Sequence, residues 1–85
     1  MASTRILFMG KLRDVAGVGE RIVDLPASIN SVGPLIEFLT QGNAPLKEAL
    51  SAPEIRVAID ETIVVHDEAI IEPNEIAFMP AFSGG

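Results

Sequence analysis

Ser31-Val32-Gly33-Pro34-Leu35-Ile36-Glu37-Phe38-Leu39-Thr40-Gln41-Gly42 carries the clearest period in the chain. Val32, Leu35, Ile36 and Leu39 stand at i, i+3, i+4 and i+7, the spacing of one apolar helical stripe. Ser31 is of the type that caps a helix, and Pro34 falls in the first turn, where its missing N–H costs nothing. The spacing predicts an amphipathic helix ending near Gln41-Gly42. Phe38 lies off the stripe and is expected to be half-exposed.

Strand patterns lie on both sides. Upstream, Arg5-Ile6-Leu7-Phe8-Met9-Gly10 reads as a central strand, apolar on both faces and closed by glycine. Lys11 to Gly19 mixes polar and apolar residues with two glycines, suiting a helical turn and a loose connection. Glu20-Arg21-Ile22-Val23-Asp24-Leu25 gives a second strand, stopped by Pro26. Downstream, Pro45 to Leu50 is a short helical turn with Leu46 and Leu50 on one side. Ile55 to Ile59 resumes sheet, Asp60-Glu61 turns, and Thr62 to Val65 continues it. Glu72-Pro73-Asn74 forms the last turn. Two strands, one principal helix and further strands define an α+β domain, with the helix on one face of a mixed sheet. At this size, that is the ubiquitin-like, or β-grasp, arrangement.

The carboxyl end, Glu75-Ile76-Ala77-Phe78-Met79-Pro80-Ala81-Phe82-Ser83-Gly84-Gly85, divides into a strand and a bare tail. Pro80 removes a backbone donor and ends the ladder after Met79. A glycine pair can be a frayed end or a cloning remnant. Here it follows the strand with no charged spacer, so residues 81–85 are expected to form an extended, flexible stalk bearing the α-carboxylate of Gly85. Without Cβ atoms such a stalk can thread a narrow pocket. The carboxylate is ionised at neutral pH and is a poor electrophile, so it needs activation. A partner holding ATP can adenylate it, after which sulfur gives a thiocarboxylate or an amine gives an amide. Five extended residues reach at most about 17 Å, which bounds the depth of the partner's reaction centre. Phe82, between Pro80 and the glycines, is either a partner anchor or folded back on the domain.

Composition narrows the classes. Eighty-five residues make a single domain over 1–85, and 48% hydrophobic against 21% charged residues argues for a packed core. With no cysteine there is no disulfide, thiolate nucleophile or thiolate metal site. A net charge of −6 disfavours nucleic acid and suits a basic protein surface. No apolar run is long enough for a membrane span and the first residues lack a signal pattern, so a cytoplasmic location is expected. His66, beside Asp67 and Glu68, reads as a surface residue. Asp60-Glu61 and Asp67-Glu68 read as solvated turns, and Gly17-Val18-Gly19 lacks the remainder of a phosphate-loop fingerprint. No catalytic constellation and no cofactor or metal site belonging to the chain itself is expected.

Four segments together resemble the small subunit of molybdopterin synthase: Ile6 through Gly17, Ser31-Val32-Gly33, Val57-Ala58-Ile59, and Asn74 through Gly85. The chain departs from that family's habit at Asp60, where asparagine is common, at Glu72-Pro73-Asn74, and at Ala81, where a second proline is common. The resemblance implies a sulfur carrier whose Gly85 is adenylated by an ATP-dependent, E1-like enzyme and converted to a thiocarboxylate. It also implies insertion of Ser83-Gly84-Gly85, with Phe82 beside them, into the synthase large subunit. There sulfur passes to a pterin precursor in molybdenum cofactor biosynthesis, within a heterotetramer. The sulfur carrier of thiamine synthesis is the next resemblance. It shares the glycine terminus and lacks the Leu12-Arg13-Asp14 type of segment. A ubiquitin-type protein modifier comes third, and a plain β-grasp interaction module stays open beside all three.

Overall fold

The computed structural model describes residues 3–64 and 69–80. In chain order it contains β1 (Ser3–Phe8), α1 (Leu12–Ala16), β2 (Glu20–Asp24), α2 (Val32–Leu39), α3 (Ala44–Leu50), β3 (Arg56–Ile59), β4 (Thr62–Val64) and β5 (Glu75–Met79). The strands form one mixed sheet in the order β2-β1-β5-β3-β4. β1 and β5 run parallel, with Ile6 opposite Ile76 and Phe8 opposite Phe78, and the other pairings are antiparallel. This is the α+β β-grasp architecture that the order of elements predicts.

Period two divides the sheet into two faces. Ile6, Phe8, Val57, Ile76 and Phe78 point into the core and are fully buried or nearly so. There they meet Val32, Leu35, Ile36 and Leu39 of α2 and Leu46 and Leu50 of α3, so the helical stripe is buried as its spacing requires. Phe38 is half-buried against this core. The rings of Phe8 and Phe78 stack with centroids 6.0 Å apart and planes 13° apart. Such a contact between β1 and β5 adds about 0.5–1.5 kcal/mol beyond burial alone.

Two details differ from the sequence reading. Only one face of β1 is fully buried; the other is mixed, with Ser3 and Arg5 exposed and Leu7 half-buried. Arg5 pairs across the open face with Glu20 at 3.3 Å and Glu75 at 3.5 Å. The middle of the sheet is β5, which inserts between β1 and β3. Adjacent strands in sequence do not reveal such an insertion, because parallel pairing joins segments 70 residues apart, as Ile6 and Ile76 are.

Helix ends also depart from expectation. Ser31 holds the N-cap position of α2 with extended backbone, yet its side chain makes no capping bond. The side-chain cap lies at α3, where the Leu46 N–H donates to Asn43 Oδ1 at 3.1 Å and Pro45 sits in the first turn. At the end of α2 the Thr40 hydroxyl donates to the Ile36 carbonyl at 2.6 Å, which satisfies a buried side chain within its own helix.

Candidate functional site

β5, the strand that leads to residues 81–85, lies in the middle of the sheet. β5 is bonded on both sides, its Ile76 and Phe78 are buried without measurable exposure, and it ends at Met79. Pro80 leaves the ladder there, as the sequence requires. Beyond the end of β1 the Met9 N–H still donates to the Phe78 carbonyl at 3.0 Å, holding the turn after β1 beside the departing chain.

That turn needs glycine. Gly10 has φ +56, in the left-handed region, and a Cβ placed on it would sit 3.0 Å from Pro80 Cγ. Backbone conformation and close approach therefore both select glycine at the root of the tail. α1 follows directly, burying Leu12 and closing on Gly17 with φ +83. Its Arg13 lies along Gly19, where a Cβ would stand 3.2 Å from Arg13 Nε. Arg13 and Gly10 thus border an open depression with Leu7, Met9, Gly19 and Glu20 beside the point where β5 ends.

The start of β5 is clamped as well. Asp60 and Glu61 both have positive φ, +50 and +72, in the two-residue turn joining β3 to β4. Asp60 Oδ1 accepts the N–H groups of Asn74 and Glu75, each at 3.0 Å. The Asp60 N–H in turn donates to the Glu75 carbonyl at 2.9 Å. The reading of Asp60 as a solvated turn residue is therefore incomplete: it is exposed, and it also fixes where β5 begins. Its signal in the sequence was only a carboxylate in a tight turn, which does not name a partner 14 residues away. On the neighbouring strand the buried Thr4 hydroxyl donates to the Pro73 carbonyl at 3.0 Å, a positioning contact with no local sequence signal.

Phe82, Ser83, Gly84 and Gly85 lie outside the described residues, as do His66, Asp67 and Glu68. Among the described residues no group of three His, Cys, Asp or Glu is placed to hold a metal ion, and no helix is long and apolar enough to cross a membrane. What the structure brings together ahead of residue 81 is a central strand, clamped at its start by Asp60 and packed at its end against Gly10.

Solved structures share this frame. Small archaeal modifier protein 1 from Haloferax volcanii is 23% identical with a TM-score of 0.78, covering 99% of this chain and 100% of that one. The protein of the same name from Methanosarcina acetivorans is 20% identical with a TM-score of 0.76, covering 100% of this chain and 98% of that one. A Pyrococcus furiosus chain provisionally described as molybdopterin converting factor, subunit 1, is 21% identical with a TM-score of 0.74, covering 96% of this chain and 100% of that one. These likenesses establish a ubiquitin-like β-grasp fold. No curated protein sequence matches the chain. The sequence profile of the ThiS family matches residues 6–85, so the chain belongs to the ThiS family of small ubiquitin-like sulfur carriers and modifiers, which E1-like enzymes activate.

Proposed function

We propose that this ThiS-family chain is the sulfur carrier of molybdopterin synthase, with Gly85 as its reactive residue. The observation that carries the reading is the reach of the family profile through residue 85, over a tail that follows directly on Pro80. The rigid root described above supports it, because a reactive group on a short stalk is positioned only as well as its base.

The chemistry runs through the terminal carboxylate. Held by an E1-like partner, it attacks the α-phosphorus of ATP and expels pyrophosphate, giving an acyl adenylate. Hydrosulfide delivered by a sulfur donor then attacks the acyl carbon, the acyl–phosphate bond breaks to release AMP, and loss of the sulfur's proton leaves a thiocarboxylate at Gly85. The large subunit takes up Ser83-Gly84-Gly85, with Phe82 packed at the channel mouth. Thiocarboxylate sulfur attacks a side-chain carbon of the pterin precursor and displaces an oxygen substituent from it, and water then hydrolyses the resulting thioester, returning the carboxylate and leaving the sulfur on the pterin as a thiol. In this scheme the chain is a co-substrate, and ATP is bound by the partner.

The helical segment α1, Leu12–Ala16, favours the pterin route over the thiamine route, because it occupies the place of the Leu-Arg-Asp segment on which the two resemblances differ. Likeness to the archaeal modifier proteins keeps amide formation on a target lysine as the second reading, and it passes through the same adenylate.

Intact mass spectrometry after incubation with an activating enzyme, ATP and a sulfur donor tests the proposal. The expected result is a mass gain equal to replacing one oxygen by sulfur, lost when Gly85 is deleted. The product must then support pterin dithiolene formation with a synthase large subunit. Adducts on protein lysines in place of the thiocarboxylate establish the modifier reading. Activity only with a thiazole-forming synthase transfers the chain to the thiamine route. No mass change with competent activating enzymes removes the carrier reading altogether.

A further inference from the structure

At the pole of the sheet opposite Pro80 lies a groove of about 630 Å³ that tail chemistry does not use. β1 and β5 both start at this pole, and the five residues of β5 separate it from the tail root by about 16 Å. One wall is the loop after β2, with Leu25, Pro26 and Ile29; the other is the segment before β5, with Ile70, Ile71 and Pro73. One backbone bond joins the walls, from the Ile70 N–H to the Asn30 carbonyl at 2.8 Å, and another, from the Ile29 N–H to the Pro26 carbonyl at 3.0 Å, folds the first wall on itself. The Thr4 hydroxyl closes the floor through its bond to Pro73.

Three observations give this groove a ligand. Ile71 is 78% exposed, more than any other large apolar side chain among the described residues, and it stands on the rim. The next residue, Glu72, has φ +42, a left-handed conformation that a non-glycine residue keeps only when its surroundings impose it. Among the described residues the charged side chains lining the groove are Asp24 and Glu72, both anionic, and neither of them is in an ion pair with another described residue. Among the described residues the Asp24 side chain receives one long contact, 3.5 Å, from the Ser3 hydroxyl. Apolar walls under two carboxylates, on a chain of net charge −6, are complementary to an apolar group flanked by cations. A small molecule needs about 70–90% of its surface enclosed, which a groove with so exposed a rim does not offer. A side chain presented by another protein needs less.

We propose that this groove docks a basic, aliphatic segment of a partner protein, an exposed Leu or Ile flanked by Lys or Arg. Being at the far pole, it can be occupied while the tail is engaged elsewhere, so one partner can hold the domain as a second works on its terminus. The proposal does not depend on which pathway the tail serves, and its test reads binding without activation.

The test is an amide chemical-shift titration of the full chain with the blocked peptide Lys-Leu-Ile-Lys, beside its acidic counterpart Glu-Leu-Ile-Glu and isoamylamine. Shifts confined to residues 24–30 and 70–73, saturating in the millimolar range and absent with the acidic peptide, support docking. The double variant Asp24→Asn, Glu72→Gln, shown to be folded by its own spectrum, weakens the basic peptide about two- to thirtyfold, the range for two exposed ion pairs. Four outcomes overturn the proposal: no shift at several millimolar peptide, shifts centred instead on Ile22 and Ile63 of the open sheet face, an unchanged affinity in the double variant, or isoamylamine binding as tightly as the peptide. Concentration-dependent shifts at the groove without peptide assign it to a second copy of this chain and overturn it equally.

Discussion

Gly10→Ala is the substitution that most directly tests whether the turn after β1 holds the root of the tail. The left-handed φ of +56 at Gly10 costs a residue with a Cβ about 1–2 kcal/mol. The new methyl also arrives 3.0 Å from Pro80 Cγ, and the proline ring has little freedom to turn aside. Forcing such a contact in a packed region adds about 1–3 kcal/mol. The sum is roughly 2–5 kcal/mol, against a total stability of about 4–13 kcal/mol expected for a domain of this length. Gly17→Ala supplies the control. Gly17 also has a left-handed φ, +83, and nothing lies within 4 Å of a Cβ built there, so only the backbone cost of about 1–2 kcal/mol applies.

Urea denaturation of Gly10→Ala, Gly17→Ala, Pro80→Ala and the double variant Gly10→Ala, Pro80→Ala separates these contributions. Gly10→Ala is expected to lose at least about 1 kcal/mol more than Gly17→Ala, and removal of the Pro80 ring to restore much of that excess. If Gly10→Ala and Gly17→Ala are equally destabilised, or if the double variant shows no coupling, the contact between turn and tail root is not what selects glycine at position 10. In the thiocarboxylation assay the same displacement of Pro80 raises KM for the activating enzyme more than it lowers kcat, because it misplaces the tail without touching its carboxylate.

Asp60→Ala removes the acceptor for two N–H groups at the start of β5 and is expected to cost about 1–3 kcal/mol, while Asp60→Asn keeps an oxygen in place and costs less than about 1 kcal/mol; thermal unfolding of both variants checks the order. Asn43→Ala loses the cap of α3, worth about 1 kcal/mol, whereas Ser31→Ala, at a position with no side-chain capping bond, changes stability by less than about 0.5 kcal/mol. Equal losses at the two positions contradict the assignment of the cap. Phe82→Ala leaves the unfolding midpoint in place and weakens the complex with a synthase large subunit by up to about 1.5–3 kcal/mol, the value of burying one Phe side chain; unchanged affinity by calorimetry takes Phe82 out of the anchor role.

The division between what was legible in the chain and what was not follows the range of the interactions. The stripe Val32, Leu35, Ile36 and Leu39, the stop at Pro80 and the turn at Asp60-Glu61 were all readable because helical period, a missing donor and tight-turn geometry are properties of neighbouring residues. Arg5 was misread for the opposite reason. The Ile6 to Met9 run concealed that its alternate residues face water beside Glu20 and Glu75, contributed by the two flanking strands. Asp60 and Thr4 were missed in the same way: each serves a backbone group that only the completed sheet brings near it. Apart from the Arg5–Glu20 pair, these long-range contacts converge on β5 or on the residues leading into it, the last described strand in sequence and the middle one in space. A chain that places its final strand at the centre of the sheet cannot release that strand without giving up its core. The proposed carrier role requires that the segment after Pro80 be handled by a partner while the domain behind it stays folded, and a body anchored through its central strand meets that requirement.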